Sequence, residues 1–423
     1  MASCQWMWVG GQGMYVHRLS LENIRCFGER QTLELTDVAG APAQWTIILG
    51  ENGVGKTTLL QALHTAYPRR DATRTNAISA AAEFGRSGVV GAGAVWLEHA
   101  QPESRTLFQY EDGYSFTRES GEATEVPCFG YGASRRMGDA AIVKHGSSNV
   151  DWSAASLFND EAPLSNVEEW LLQADYAAKS SKRVHLRARF DQIKATLIRL
   201  LPDVEGFRIV GLEESRPQPS VEADTPYGWV PIRRLSLGYK ALMAWVVDLA
   251  SRLFEHYPDS AEPLTEAAVV LVDEIDLHLH PAWQRGLVGF LSERFPKVQF
   301  IATAHSPLMV QAAATSNLAV LRRQGDRVLI ENSPGAVYGW RVDQILTSPI
   351  FGLDSARPPH LDALLEERQA IMTKPGLSEA DKRRVAELDR DMEQLPFGED
   401  PEEIAARALI KQFAERLRVL EGL

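Results

Sequence analysis

Residues 15–27 and 31–35 alternate between apolar and polar side chains often enough to predict two strands, with Gly28 near the turn between them. Residues 45–49 form a short apolar strand, residues 50–58 are rich in glycine, and residues 58–67 carry a helical pattern that Pro68 stops. Residues 89–98 and 106–117 read as strands, with Asp112 and Gly113 marking a turn inside the second, and residues 126–131 read as another. Apolar residues then recur at spacings of three and four from 166 to 201, where Pro202 ends the helical stretch. Residues 207–232 read as short strands turning near 216–219 and 224–228, and residues 237–257 as one long helix. After a polar linker, residues 267–272 are all apolar, as a strand buried on both faces requires. Pro281 opens the next helix, where a proline at the first position is favoured, and residues 298–303 make a second buried strand. Two short strands near 318–321 and 327–330 follow, and beyond Pro349 the chain is charged, helical and proline-punctuated. This order predicts an α/β domain over residues 14–345 with a helical insertion at about 150–205, an N-terminal extension over 1–13, and a separate helical element over 346–423.

Composition narrows the class. Of 423 residues, 45% are hydrophobic and 24% charged, which is ordinary for a soluble globular protein. No apolar run approaches the roughly 20 residues needed to cross a bilayer, so no membrane is expected. The first 14 residues lack a basic region and make a poor signal peptide; they read as a disordered extension, with Met14 as the alternative start. Cys4, Cys26 and Cys128 are odd in number and lack metal or disulfide spacing, which fits a reducing cytoplasm. The net charge of −12 argues against a protein coated in nucleic acid. A local exception is the run Lys179, Lys182, Arg183, Arg187, Arg189, Lys194 and Arg199. Such runs are usually solvated faces; contact with nucleic acid or an acidic partner is the alternative.

Four motifs carry chemistry. Gly50-Glu51-Asn52-Gly53-Val54-Gly55-Lys56-Thr57 has the phosphate-loop spacing, with a strand before it and a helix from Thr58 after it. Its glycines let successive backbone N–H groups turn inward around phosphates, and the helix N-terminus adds favourable potential there. Lys56 can reach the β- and γ-phosphates of ATP, and the Thr57 hydroxyl can bind Mg²⁺. A glycine-rich turn is the plainer reading, which the flanking elements disfavour. Residues 269–274 form an apolar strand ending in Asp273 and Glu274, at the sheet edge where ligands of such folds bind. Asp273 would hold the Mg²⁺ hydration shell and Glu274 would act as general base. Ser236 and Gly238 open the long helix, where Ser236 is also a good N-cap. His305 follows the second buried strand, about 30 residues past the two acids.

Loop, Ser236/Gly238 helix, acidic strand and histidine stand in the order of an ABC-type ATPase head across residues 14 to about 345. The resemblance implies an α/β P-loop head with an antiparallel β lobe, the helical insertion and the C-terminal helical element beside it. It implies ATP and Mg²⁺ as ligands. It also implies a homo-oligomer in which Ser236 and Gly238 of one head cover the γ-phosphate held by the other, and His305 as a switch histidine on that phosphate. Residues 21–27 (Leu-Glu-Asn-Ile-Arg-Cys-Phe) resemble the first strand of SMC and RecF heads, where an arginine approaches the phosphates; that makes Arg25 a candidate. Residues 273–281 and the Phe129-Gly130-Tyr131-Gly132-Ala133-Ser134-Arg135-Arg136 segment resemble stand-alone ATPases of bacterial phage-defence systems, such as the Septu ATPase subunit, OLD-type ATPases and the PARIS ATPase. No glutamine stands where transporter ATPases have their glutamine loop; the 131–136 segment falls there, with Arg135 unassigned. His278 and His280 invite a metal reading, but a loop crossing between heads is preferred. Asp389 and Asp391 lie in a helical context and make no nuclease site. The expected function is an ATP-driven switch in antiviral defence that gates a separate effector nuclease. A RecF-like repair or recombination ATPase is the alternative, and the missing glutamine loop disfavours a transporter subunit. The C-terminal element, residues 361–423, serves either partner or self-assembly contact or simple packing on the head.

Overall fold

A computed structural model describes residues 15–37, 39–67, 93–99, 105–107, 126–138, 152–180, 184–201, 203–211, 219–313, 316–332, 337, 339–374 and 376–393. The expected extension at 1–13, the turn at Asp112 and Gly113, most of the 216–219 turn, Lys182 and Arg183 lie outside them, as does the Arg189 side chain. The chain divides into two compact units, Met1–Leu353 and Asp354–Leu423.

Thirteen strands are described: β1 Val16–Glu22, β2 Gln31–Glu34, β3 Trp45–Gly50, β4 Ala94–His99, β5 Arg105–Leu107, β6 Cys128–Tyr131, β7 Gly206–Val210, β8 Ser220–Thr225, β9 Gly228–Pro231, β10 Ala268–Val272, β11 Val298–Thr303, β12 Asn317–Gln324 and β13 Arg327–Asn332. The helices of the first unit are α1 Lys56–Ala66, α2 Ala155–Phe158, α3 Val167–Ser180, α4 Val184–Leu200, α5 Leu237–His256, α6 Pro281–Arg294, α7 Pro307–Ala312 and α8 Val342–Leu346. The central sheet has the order β13-β12-β3-β11-β10-β6 and is parallel except at β13. A second sheet, β2-β1-β4-β5, is antiparallel, and β7-β8-β9 forms a small third one.

The two-residue side-chain period of a strand explains the layering. In β3, Ile47 and Leu49 enter one core while Ile48 enters the other; in β10, Val270 and Val272 oppose Val269 and Leu271. One face carries α1, through Leu59, Leu60 and Leu63, and residues of the antiparallel lobe such as Leu19 and Leu97. The other carries α5, α4 and α6, through residues such as Met243, Leu197 and Leu287. A strand covered on both sides favours apolar side chains, and β10 reads Ala-Val-Val-Leu-Val and is buried throughout. Trp45 stacks on Phe300 with ring centroids 4.4 Å apart, and its indole N–H donates to Ser292 Oγ at 2.8 Å, which joins β3, β11 and α6.

The larger unit runs to Leu353 rather than to about 345, because Ile345 and Ile350 bury in its main core. The second unit holds α9 Pro359–Met372 and α10 Glu379–Glu393, packed through Ile371 and Leu388. Asp389 is ion-paired with Arg368 at 2.7 Å, in keeping with a structural place for that acid. Among the described residues no helix is long and apolar enough to cross a membrane. Of the basic run, Lys179 pairs with Asp175, Arg187 with Asp191, and Arg199 with Glu293, as side chains of a solvated face do.

Trp45→Ala should lower unfolding stability by about 3–5 kcal/mol, since it removes a large buried ring at a junction of three elements. Urea unfolding followed by circular dichroism checks this; a loss below about 1 kcal/mol would contradict the assigned packing.

Candidate functional site

The glycine-rich loop leaves the carboxyl end of β3 and enters α1 at Lys56. Gly55 precedes the helix with φ +90, a left-handed conformation, and Cys26 Sγ stands where a side chain at Gly55 would have to go. Gly50 and Gly53 also have positive φ, while Glu51, Asn52 and Gly53 are exposed and Val54 is buried. Lys56 is buried, and its ammonium donates to the Gly50 and Glu51 carbonyls at 2.9 and 2.7 Å. Burial lowers the Lys56 pKa below the ordinary lysine value, and the nearby Asp273, Glu274 and Asp276 carboxylates oppose that shift. Arg25 lies on the flank of α1, donating to Thr58 Oγ1 at 3.3 Å and Gln61 Oε1 at 3.1 Å.

The acidic strand end meets this loop directly. Thr57 Oγ1 donates to Asp273 Oδ2 at 2.6 Å, so the hydroxyl and carboxylate expected to serve Mg²⁺ are in contact. Asp273 Oδ1 accepts from Thr303 Oγ1 at 2.6 Å, and that same hydroxyl oxygen accepts the Glu274 N–H at 2.7 Å. Glu274 is half-buried and has φ +46. Two residues on, Asp276 Oδ2 accepts the N–H groups of His305 and Ser306 at 2.9 and 2.7 Å. His305 is thereby fixed at the end of β11, while its Nε2 is buried with no hydrogen-bond partner among the described residues. A buried ring nitrogen without a partner, at the end of the strand that pairs with β3, fits a phosphate contact. Together with the Thr57–Asp273 contact and the left-handed glycines, it fits a Mg²⁺-bound nucleotide.

No hydrogen bond joins Ser236 or Gly238 to residues 50–58 among the described residues. Ser236 is the N-cap of α5, accepting the Tyr239 N–H at 3.5 Å, the outer limit for such a bond. Ser236 and Leu237 are exposed, whereas Gly238 is buried with the His278 carbonyl where a side chain would point. Tyr239 meets Trp283 edge-on with centroids 4.4 Å apart, so the starts of α5 and α6 pack together. His280 caps α6 through Nδ1, which accepts the Ala282 N–H at 3.3 Å; this gives it a role without a metal. Sequence reading singled out neither Thr303, Asp276 nor Gln284, whose carbonyl oxygen accepts the Ser306 hydroxyl at 2.6 Å. The signal available was spacing: Asp276 follows Glu274 by two residues, and Thr303 ends the second buried strand.

Residues 131–310 match the family model described as "AAA domain, putative AbiEii toxin, Type IV TA system", and residues 18–87 match one described as "AAA domain". The Septu protein PtuA of Bacillus mycoides is 26% identical over 381 residues, which is 89% of this chain and 50% of that protein. The Septu protein PtuA of Bacillus thuringiensis is 25% identical over 393 residues, covering 89% of this chain and 93% of that one. The chain therefore spans half of the first relative's length and nearly all of the second's. A solved SMC head domain from Thermotoga maritima superposes with a TM-score of 0.43 at 17% identity, over 75% of this chain and 99% of that one. With its phosphate-type loop, acidic strand end and histidine on neighbouring parallel strands, the chain has the parts of a P-loop nucleotide site and is similar to Septu PtuA over 89% of its length.

Proposed function

We propose that this protein binds Mg-ATP at residues 50–58 and hydrolyses it with Glu274 as general base, as a pair of heads that each complete the other's site. The observation that carries the reading is the 2.6 Å bond between Thr57 and Asp273, which brings the loop helix and the acidic strand end into one site. Lys56 supplies positive charge to the β- and γ-phosphates, exchanging its bonds to the Gly50 and Glu51 carbonyls for phosphate oxygens. Thr57 and Asp273 hold Mg²⁺, which when bound neutralises phosphate charge. Glu274 follows Asp273 directly and accepts the proton of the attacking water. His305 offers its buried Nε2 to the γ-phosphate, and Arg25 stands by for the same phosphates from the flank of α1. Ser236 is exposed at the start of α5, and with the backbone N–H of Gly238 behind it serves the nucleotide of a second head.

Similarity to Septu PtuA over 89% of the chain supports a place in antiviral defence, as the cytoplasmic subunit whose ATP state gates a separate effector nuclease.

Lys56→Ala should weaken Mg-ATP binding about 10- to 100-fold, the scale of one or two charged hydrogen bonds. Calorimetry that returns wild-type affinity would refute the assigned loop. Glu274→Gln should keep that affinity and slow turnover by about 100-fold or more, because an amide cannot take the proton. A phosphate-release assay checks it, and normal turnover would move the base to another residue.

A further inference from the structure

The 129–136 segment holds an arginine that the nucleotide chemistry above does not use. Arg135 has φ +36 and is 3% exposed. Burying a guanidinium is costly, and burial pushes its pKa down to about 10 against the pull of Asp273, Asp276 and Glu274. Its hydrogen bonds nevertheless run to backbone: Nη1 donates to the Asp273 carbonyl at 2.6 Å and Nη2 to the Glu274 carbonyl at 2.8 Å.

Those two carbonyls belong to consecutive peptides on either side of the Glu274 Cα. Glu274 sits in the left-handed region, which a non-glycine residue rarely adopts and which persists where surrounding structure over-determines it. The remaining backbone groups of the turn are also tied. Asp273 N–H donates to the Tyr131 carbonyl at 2.8 Å, Glu274 N–H to Thr303 Oγ1, and Ile275 N–H to the Thr303 carbonyl at 2.9 Å. A planar guanidinium that forks across both carbonyls fixes their relative direction, which a single ammonium does not. The fork is itself anchored. β6 pairs Tyr131 with Val272, and the Tyr131 hydroxyl donates to Asp248 Oδ2 of α5 at 3.0 Å. Asp248 also accepts from Ser165 Oγ at 3.0 Å and from Arg252.

We propose that Arg135 is a positioning residue for hydrolysis: by gripping the Asp273 and Glu274 carbonyls it holds Glu274 left-handed, with its carboxylate directed at the attacking water. The inference rests on the reading of Glu274 as the general base.

The test measures Mg-ATP Kd, kcat, KM and thermal melting for full-length Arg135→Ala and Arg135→Lys, each made in the wild-type and in the Glu274→Gln background. In the wild-type background kcat should fall about 100-fold, as a misdirected catalytic group does, with Kd changed less than about threefold. In the Glu274→Gln background the same substitutions should slow residual turnover by less than about twofold, because the group they misdirect is already gone. Guanidinium chloride at low millimolar concentration should partly restore Arg135→Ala, and sodium chloride at equal strength should not. Should Arg135→Ala fail to fold, Arg135→Lys decides alone, since it keeps charge and most of the volume. Normal kcat in a folded variant, an equal proportional loss in both backgrounds, or a fall in affinity matching the fall in turnover would each overturn the proposal. A Glu274→Gln protein at full rate would overturn the choice of base and this inference with it. A slow Glu274→Gln beside a fully active Arg135→Ala would overturn the inference alone.

Discussion

Three carboxylates, Asp273, Glu274 and Asp276, emerge within four residues from the end of one buried strand, and the surrounding elements are arranged to tolerate that concentration of charge. An unpaired charge withdrawn from water costs several kcal/mol, so each acid must be met by donors or by opposite charge. Asp273 takes hydroxyls from α1 and from the end of β11. Asp276 takes two backbone N–H groups from the turn that carries His305. Lys56 and Arg135 lie close enough for the acids to pull on both their titrations. Satisfying the acids therefore fixes the positions of loop, histidine and strand ends relative to one another. Reactive geometry and the solution to an electrostatic problem are the same set of contacts.

The start of α5 connects this turn to the surface proposed to meet a second head. Gly238 lies against the His278 carbonyl, two residues past Asp276, and twelve residues along the helix from Ser236 stands Asp248, which holds the Tyr131 hydroxyl at the end of β6. One helix thus carries both the exposed Ser236 and the buried Asp248 that holds the end of β6.

Much of this was legible in the sequence. The loop at 50–57, the apolar run ending in Asp273 and Glu274, and the second buried strand before His305 each follow from local pattern, and all sit where that pattern places them. What stayed hidden depends on contacts between distant residues. Arg135 lies 138 positions from Asp273 and reaches its backbone, a partnership that no periodicity encodes. Thr303 reads only as the last residue of a strand, yet its hydroxyl serves Asp273 and Glu274 together. The left-handed φ of Glu274 goes against its residue type, so propensity points away from it. The reach of the first unit to Leu353 was masked for a similar reason: the chain turns polar before Ile350 finds the main core.

The claim that two heads share each site is tested most directly by complementation. Ser236→Arg places a bulky cation at the exposed start of α5 while leaving the loop at 50–58 intact, and Lys56→Ala does the reverse. Steady-state ATPase rates are measured for each full-length protein alone and for the two mixed long enough to exchange subunits. The account predicts that each is nearly inactive alone, because a site lacks either its lysine or the facing donors that stabilise the transferring phosphoryl group. It predicts partial activity in the mixture, where a mixed pair regains one complete site. Full activity of Ser236→Arg alone would contradict it, leaving Ser236 a helix cap and the protein a single-headed ATPase.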